Sequence, residues 1–300
     1  MGRIGFMATE TKRRKLKRRL ASGPLLVAPG IYDAYGARFV ERAGFEAAYM
    51  TGNGVSASLL GLPDVGLVDL TMIATHARRV ASCVNIPLVC DADTGHGNAV
   101  NVRRTVEEFE AAGVAAIHIE DQVTPKRCGH LPGARPVIEL AEAVGKIEAA
   151  VAARSDPDFL IIARTDVASG QGVAAAIERA RAFRNAGADV LFVELKTSPT
   201  IEEDMKRITG SVDAPFLVNI DGGGRLGELT ASEIERLGFR IAIYPGLERY
   251  AAGYAMREAL SALKRDGTTR AVRERMLTMA EYNEALGLPG VEEWERRYLR

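Results

Sequence analysis

Three acidic side chains stand where two apolar segments of the chain end. Asp91 and Asp93 lie at the end of segment 87–92, and Glu120 closes segment 115–120. Side chains two residues apart point to the same side of a strand, so Asp91 and Asp93 would face the same way. Carboxylates that converge repel one another, and a divalent cation removes that repulsion. An all-oxygen set favours Mg²⁺ or Mn²⁺ over zinc. The alternative is that one carboxylate caps a helix or pairs with an arginine.

Polar side chains also stand at the ends of the apolar segments that follow along the chain. An arginine at such a place, Arg164, is costly to bury unpaired. It therefore either pairs with Glu120 or Asp166, or it binds a substrate carboxylate with two hydrogen bonds. Glu194 and Asn219 end the next two apolar segments. We expect all of these groups at one rim of the fold.

A long connection rich in glycine and proline, 122–137, follows Glu120. Long ordered loops are commonly lids over active sites. Cys128 lies in this loop, and the nearby Lys126 and His130 favour its thiolate or ease proton exchange. A zinc site of Cys128 and His130 is not expected, because no second ligand pair has the right spacing. The alternative is a surface cysteine without a role.

A second polar stretch, 49–56, combines hydroxyl, amide and glycine N–H groups. We expect it to be a loop that can hold a carboxylate. A third, Asp221 to Gly224, is open to close approach by a ligand because three of its residues are glycines.

The elements that must position these residues alternate between short apolar runs and helical stripes. Nearly continuous apolar runs indicate strands buried on both faces, as in a parallel sheet. Glycines at 44, 113, 187 and 238 would end helices just before strands. The predicted strands are 24–28, 46–51, 87–92, 115–120, 159–165, 189–194, 215–220 and 239–244, and the clearest helical patterns are 68–84, 100–112, 138–153, 171–186 and 247–264.

Eight β/α units predict a closed (β/α)8 barrel, whose active site lies at the carboxyl ends of the strands. An open doubly wound sheet is the alternative, disfavoured because no glycine-rich dinucleotide motif follows the first strand. The basic segment 7–22 predicts a helix that covers the barrel. We expect the barrel and this helix in residues 1–265. Residues 266–300 would add a helical extension anchored by Trp294 and Tyr298, on its own barrel or on a neighbouring subunit.

The amino-acid composition argues against two classes of protein, those that bind nucleic acids and those that span membranes. The chain has 300 residues, with 39 basic and 39 acidic side chains and no net charge, which argues against a nucleic-acid-binding protein. No apolar run approaches the roughly 18–20 residues of a membrane span. Three scattered cysteines and the lack of a signal peptide predict a reducing, cytoplasmic location.

Several motifs resemble those of the isocitrate lyase and phosphoenolpyruvate mutase superfamily. They are Leu60 to Asp64, Asp91 to Gly97, Ile119 to Gln122 and the lid motif Lys126-Arg127-Cys128-Gly129-His130. The resemblance extends from about residue 24 to 265. It implies the (β/α)8 barrel, Mg²⁺ dependence and chemistry through a pyruvate-like enolate. It also implies a homotetramer, a dimer of dimers that exchanges C-terminal helices.

The resemblance also implies roles for individual residues. Asp91, Asp93 and Glu120 would hold the metal, partly through water. Cys128 would be the acid/base of the lid, Tyr49 would lie near the reacting hydroxyl, and Arg164 and Glu194 would complete the catalytic set. The implied substrate-binding residues are Thr51, Gly52, Asn53, Asp64, Gly129, His130, Arg164 and Asn219.

The implied reaction is cleavage of a 2-hydroxy-dicarboxylate, of the 2,3-dimethylmalate or 2-methylisocitrate type, to a 2-oxo acid such as pyruvate plus a carboxylate. Methylisocitrate lyases usually carry arginine after the lid histidine, where this chain has Leu131. That difference favours a dicarboxylate over a tricarboxylate. The alternatives within the superfamily are oxaloacetate hydrolysis or decarboxylation and phosphonate mutase or hydrolase chemistry. Outside it, they are a Schiff-base aldolase using Lys196 and a non-catalytic barrel.

Overall fold

Eight parallel strands pair in chain order, and β8 pairs with β1, which closes a barrel. The computed structural model describes residues 10–129, 131, 135–196, 198–220 and 224–299. The (β/α)8 fold expected from the sequence is thereby confirmed, and the open sheet is excluded. The strands are β1 Leu26–Ile31, β2 Ala48–Met50, β3 Leu88–Asp91, β4 Ala116–Glu120, β5 Leu160–Thr165, β6 Val190–Val193, β7 Phe216–Asn219 and β8 Ile241–Tyr244.

The barrel has one core inside it and another between its strands and the surrounding helices. Phe192 and Leu217 belong to the inner core, whereas Ile117 and Ile161 belong to the outer one. Because both faces of each strand are covered, the strands read as nearly continuous apolar runs rather than as alternating ones.

Helices surround the strands and return the chain for the next pairing. All four glycines expected to end helices have positive φ angles, between 82° and 97°, which a residue without a Cβ adopts without strain. The helices are α1 Lys12–Ala21, α2 Ala34–Arg42, α3 Gly52–Leu60, α4 Leu70–Cys83, α5 Ala99–Ala111, α6 Leu140–Ala153, α7 Ala168–Asn185, α8 Ile201–Thr209, α9 Gly224–Glu228, α10 Ala231–Arg236, α11 Leu247–Asp266, the 3-10 helix η1 Arg270–Arg275, α12 Met279–Ala285 and α13 Leu288–Tyr298.

Two local predictions were wrong. The first strand was expected at 24–28, but β1 continues to Ile31, and Gly30 allows its backbone to pass close to that of Pro245. The stretch 49–56 was expected to be a loop, but β2 ends at Met50 and α3 begins at Gly52. The first turn of this helix consists of glycines and small polar residues, whose low helix propensity does not predict a helix. Burial at the barrel mouth stabilises it instead.

The helices at the two ends of the chain differ in how much of their apolar surface is buried. Helix α1 covers the amino-terminal end of the barrel, where Leu16 and Leu20 join the inner core. At the other end of the chain, Trp294 and Tyr298 contact each other with ring centres 4.5 Å apart and planes tilted by 47°, yet they remain 66% and 51% exposed. Among the described helices, none is both long and apolar enough to cross a membrane.

Candidate active site

One small cavity at the carboxyl end of the barrel collects most of the predicted site residues. Gly52 and Asp93 lie just behind its wall, beside Asp91. His130 and Asp221 to Gly223 lie outside the described residues. Sequence reasoning missed Pro245 and Arg249, although they follow β8 as the predicted residues follow other strands. The lining residues are Tyr49, Thr51, Asn53, Asp64, Asp91, Glu120, Lys126, Arg127, Cys128, Gly129, Arg164, Glu194, Asn219, Pro245 and Arg249.

The ends of β3 and β4 bring Asp91 and Glu120 to this cavity. Asp93 lies beyond the end of β3 with a φ of 49°, so the strand spacing used to predict its direction does not apply to it. Asp91 accepts hydrogen bonds from the backbone N–H groups of Asp93, at 2.9 Å, and Gly52, at 3.2 Å. Burial raises the pKa of Asp93 to about 7 and that of Glu120 well above its ordinary value. Burial also opposes ionisation of Asp91, but His118, Lys126 and Arg164 hold its pKa below the usual range. The cluster therefore needs positive charge to stay ionised.

Lys126 on the lid supplies one such charge. Its Nζ lies 2.6 Å from Oδ1 of Asp93 and 2.7 Å from Oδ2 of Asp64. Although burial disfavours the ammonium ion, Asp93, Asp91 and Asp64 hold the pKa of Lys126 well above its ordinary value. This contact fastens the lid to the acidic cluster, and local sequence patterns give no sign of it.

The carboxylates are placed to bind a magnesium ion that keeps some of its water ligands, rather than one that is coordinated by protein oxygens alone. Across the described ranges, no three His, Cys, Asp or Glu side chains stand close enough to hold a metal ion directly. Glu120 nevertheless has a buried Oε1 that accepts no hydrogen bond from the described part of the chain. At Gly52, a Cβ would lie 2.7 Å from Oδ2 of Asp91, so glycine keeps space open there. Mg²⁺ usually keeps several waters and binds through one or two carboxylates, and the donor set fits that mode.

Arg164 is the second-to-last residue of β5, lines the cavity and lies close to three acidic side chains. Its Nε lies 2.9 Å from Asp166 and 3.2 Å from Glu120, and its Nη2 lies 3.5 Å from Glu194. Asn219 in turn donates a long hydrogen bond, 3.4 Å, to Glu194. Burial disfavours the guanidinium ion, but these carboxylates keep the pKa of Arg164 well above its ordinary value. Both acidic partners considered from the sequence are confirmed, and Arg164 still lines the cavity.

Tyr49 on β2 forms a buried pair with His118 on β4. The Tyr49 Oη and His118 Nε2 atoms are 2.7 Å apart, and the ring centres are 5.7 Å apart in a stacked arrangement. Burial lowers the pKa of His118 to about 4. Burial, followed by the charge of Asp91, raises the pKa of Tyr49 well above its ordinary value. The pair is therefore a neutral phenol held against a neutral imidazole, and this partner of Tyr49 was not foreseen.

Cys128 reaches the cavity because the lid folds back over it. The base of the lid is closed by an antiparallel bridge between Gln122 and Val137. Near its tip, the backbone N–H of Cys128 donates to the carbonyl of Asp64 at 3.1 Å. Asn53, on the first turn of α3, donates from Nδ2 to the sulfur of Cys128 at 3.1 Å. A thiol, a guanidinium and an acidic cluster thus share one small, partly closed cavity.

Known proteins resemble this chain over nearly its whole length. The family described as phosphoenolpyruvate phosphomutase matches residues 16–264. The 2,3-dimethylmalate lyase of Eubacterium barkeri is 47% identical over 292 residues, which cover 97% of this chain and 99% of that protein.

Two solved structures share the fold. One is a 2,3-dimethylmalate lyase described as a PEP mutase/isocitrate lyase superfamily member, with a TM-score of 0.88 and 37% identity, covering 97% of this chain and 96% of that one. The other is oxaloacetate acetylhydrolase in complex with 3,3-difluorooxalacetate, with a TM-score of 0.89 and 36% identity, covering 95% and 96%. The lyase names support the expected enzyme class, a carbon–carbon lyase. With its barrel, its lid motif and these similarities, the chain belongs to the phosphoenolpyruvate mutase/isocitrate lyase superfamily.

Proposed function

We propose that this protein is a Mg²⁺-dependent lyase that cleaves a 2-hydroxy-dicarboxylate of the 2,3-dimethylmalate type to pyruvate and a carboxylate. The observation that carries the proposal is the cavity in which Cys128 of the lid meets Arg164 and the acidic ends of β3 and β4. Carbon–carbon cleavage needs a carboxylate anchor, a group that exchanges the hydroxyl proton and an acid for the departing carbanion. The cavity supplies a residue for each task.

The acidic cluster is the metal-binding part of the proposal. Asp91, Asp93 and Glu120 would hold Mg²⁺, partly through water. When bound, the ion would supply positive charge to the substrate carboxylate and its neighbouring oxygen.

Arg164 would anchor a substrate carboxylate. It lines the cavity, and Asp166 fixes its orientation with hydrogen bonds from Nε and Nη2 at 2.9 and 3.1 Å. A guanidinium held in this way offers its remaining N–H groups in a fixed direction, which suits recognition of a planar carboxylate.

Tyr49 would exchange the proton of the reacting hydroxyl. Tyr49 lines the cavity, and its Oη is hydrogen-bonded to His118, so a proton that leaves the substrate would have a path into a buried pair. As that proton leaves, the bond between C2 and C3 of the substrate breaks. Its electron pair remains on C3, and C2 becomes the carbonyl carbon of pyruvate.

Cys128 would then protonate C3. The hydrogen bond from Asn53 holds its sulfur at the cavity, and the folded lid keeps bulk water from the carbanion. Transfer of the thiol proton to C3 completes propionate when the substrate is 2,3-dimethylmalate. A proton taken up from the substrate hydroxyl and one given by the thiol leave the overall reaction balanced.

A panel of possible substrates tests the proposal. With Mg²⁺ present, we expect the highest kcat/KM for 2,3-dimethylmalate, with pyruvate and propionate formed in equal amounts. The panel includes 2-methylisocitrate, isocitrate, oxaloacetate and phosphonopyruvate. Leu131 in place of an arginine supports a preference for dicarboxylates over the tricarboxylates. No cleavage of any 2-hydroxy acid would overturn the lyase proposal.

Oxaloacetate hydrolysis is the second candidate, favoured by the similarity to oxaloacetate acetylhydrolase. The same panel separates it, because it yields oxalate and acetate and no pyruvate. Phosphonate chemistry is less favoured, because the mutases that the lid motif resembles usually carry asparagine at the position of Cys128.

We also propose that the protein is a homotetramer whose C-terminal helices pack on neighbouring subunits. The support is the number of large apolar side chains that α11 to α13 leave exposed in the single chain. Examples are Tyr254, Leu260, Met279 and Trp294, which are 57–72% exposed. Apolar surface of this extent usually marks an interface.

A further inference from the structure

Arg135, on the returning limb of the lid, contacts the residue that orients Arg164. Its Nη1 lies 2.6 Å from Oδ1 of Asp166, and both side chains are almost completely buried. The same carboxylate accepts hydrogen bonds from Nε and Nη2 of Arg164. One acidic group therefore holds a guanidinium of the lid and a guanidinium of the barrel at the same time.

The charges around Arg164 give this arrangement a consequence for binding. Glu120, Asp166 and Glu194 all lie within 3.5 Å of the Arg164 guanidinium. Asp166 and Glu194 alone carry more negative charge than one arginine balances, which would weaken its attraction for a substrate carboxylate. Arg135 offsets the charge of Asp166, which leaves more of the positive charge of Arg164 for the cavity.

The lid is shaped to admit the guanidinium of Arg135. A Cβ at Gly129, the residue after Cys128, would lie 2.8 Å from Nη1 of Arg135 and 3.5 Å from Oε1 of Glu194. Any side chain at 129 would collide with Arg135 where it meets Asp166. The position next to the catalytic thiol and the ion pair are therefore packed directly against each other.

We propose that Arg135 is a positioning residue that latches the lid over the cavity and prepares Arg164 for a substrate carboxylate. The second half rests on the proposed function, because it takes a carboxylate as the ligand of Arg164. The latch itself does not depend on the substrate. The Arg135–Asp166 contact involves residues of this chain alone, so it can be tested without a substrate.

The first test compares Arg135→Gln with the unaltered protein, without ligand. Alkylation of Cys128 by iodoacetamide, followed by peptide mass mapping, reports how often the lid opens. We expect Cys128 to react at least about tenfold faster in the variant, a change of about 1.4 kcal/mol in the lid equilibrium. Cys83, on α4 and remote from the lid, is the reference in the same digest and should react at an unchanged rate.

Hydrogen exchange gives a second readout that does not depend on thiol ionisation. The backbone N–H of Cys128 is protected by the carbonyl of Asp64, so its peptide should exchange faster in Arg135→Gln. The matched control is Arg154→Gln, which removes an arginine from an ion pair with Asp189 of the same length, 2.6 Å, at the opposite end of the barrel. The control should leave both lid readouts unchanged.

Gly129→Ala tests the latch without altering any charge. Its methyl group would displace Arg135, so Cys128 should again react faster. Because both substitutions break one contact, the double variant should be no faster than the faster single variant. Unchanged alkylation and exchange in Arg135→Gln would overturn the latch, as would equal acceleration by Arg154→Gln.

Kinetics with the best substrate of the panel test the second half. We expect Arg135→Gln to raise KM by at least about tenfold, with Arg135→Lys intermediate because it keeps the charge and loses the planar fork. An unchanged KM would overturn the charge argument. If the lid readouts change while no member of the panel is cleaved, the latch stands and the proposed function falls.

Discussion

Cys128 illustrates how a single residue acquires a role only through its neighbours. The sulfur accepts a hydrogen bond from Asn53, and its backbone N–H is bound to Asp64. These contacts come from α3 and from the segment that follows it. Removing the thiol should therefore affect proton transfer while the lid and the binding residues stay in place.

Replacing Cys128 by serine should lower kcat by about 10² or more, because a hydroxyl is a much weaker acid than a thiol. Binding of oxalate with Mg²⁺, measured by calorimetry, should stay within about twofold. Cys83→Ser makes the same exchange on α4 and should keep full activity. A fully active Cys128→Ser enzyme would exclude the thiol as the proton donor.

Removing divalent cations should abolish turnover, because the proposed metal would supply positive charge to the substrate carboxylate and its neighbouring oxygen that Arg164 alone does not provide. Excess EDTA should stop pyruvate release, and Mg²⁺ or Mn²⁺ should restore it. Mg²⁺ should also raise the melting temperature, as an ion that binds only the folded state does. Undiminished activity in EDTA, together with inactivation by borohydride and substrate, would instead point to a Schiff base on Lys196.

At the scale of elements, α11 packs its first turn against the start of α2. The carboxylate of Glu248 on α11 lies against Gly36, where any Cβ would overlap it. Asp33 already caps α2 by accepting the Gly36 N–H at 2.8 Å. Burial, and then the charge of Asp33, raise the pKa of Glu248 to about 7. The contact between the two helices is therefore sensitive to pH.

The sign of this sensitivity can be worked out. The folded protein keeps a proton on Glu248 that the unfolded chain releases near pH 4.5, so the contribution of Glu248 to stability falls as the pH rises through about 7. Glu248→Gln should be more stable than the unaltered protein at pH 8, by about 1–2 kcal/mol after allowance for solvent screening. Urea unfolding at fixed protein concentration should show this gain shrinking towards pH 5.

The matched control is Glu274→Gln, at an exposed position of η1. It should show no gain in stability that depends on pH. A gain for Glu248→Gln that is the same at pH 5 and pH 8 would contradict the assignment of the raised pKa to this contact.

At the scale of the whole molecule, the C-terminal helices leave apolar surface uncovered by their own barrel. Helix α12 touches α2 through the Arg42–Glu284 ion pair. Helix α13, by contrast, has no buried residue. A chain that leaves Trp294 and Tyr298 largely in water gains stability by burying them against another subunit.

Trp294 is the single tryptophan of the chain and so would report directly on the proposed interface. Light scattering should give a mass near four times 32.3 kDa. Trp294 should emit at a shorter wavelength in the oligomer than in urea, because the interface excludes water from it. Val291→Asp, on the same helix, should lower the mass and shift the emission to longer wavelength. A monomer at micromolar concentration would contradict the proposed assembly.

The sequence by itself determined the eight strands, the glycines that end the helices and the convergence of Asp91, Glu120 and Arg164. Each depends on a local pattern. Strand periodicity decides which side chains share a face, and the barrel places all strand ends at one rim. Such features survive small errors in strand boundaries, so the misplaced bounds of β1 did not affect the predicted site.

Only the tertiary structure decided which buried polar and charged side chains meet. Lys126 reaches Asp64 across 62 residues of chain, Tyr49 finds His118 across 69, and Arg135 meets Asp166 only once the lid has folded back. No local pattern encodes these pairs, because a flexible loop can direct a long charged side chain towards any of several acids. Barrel closure and the packing around each buried charge select one partner, since a buried charge left without one would cost several kcal/mol.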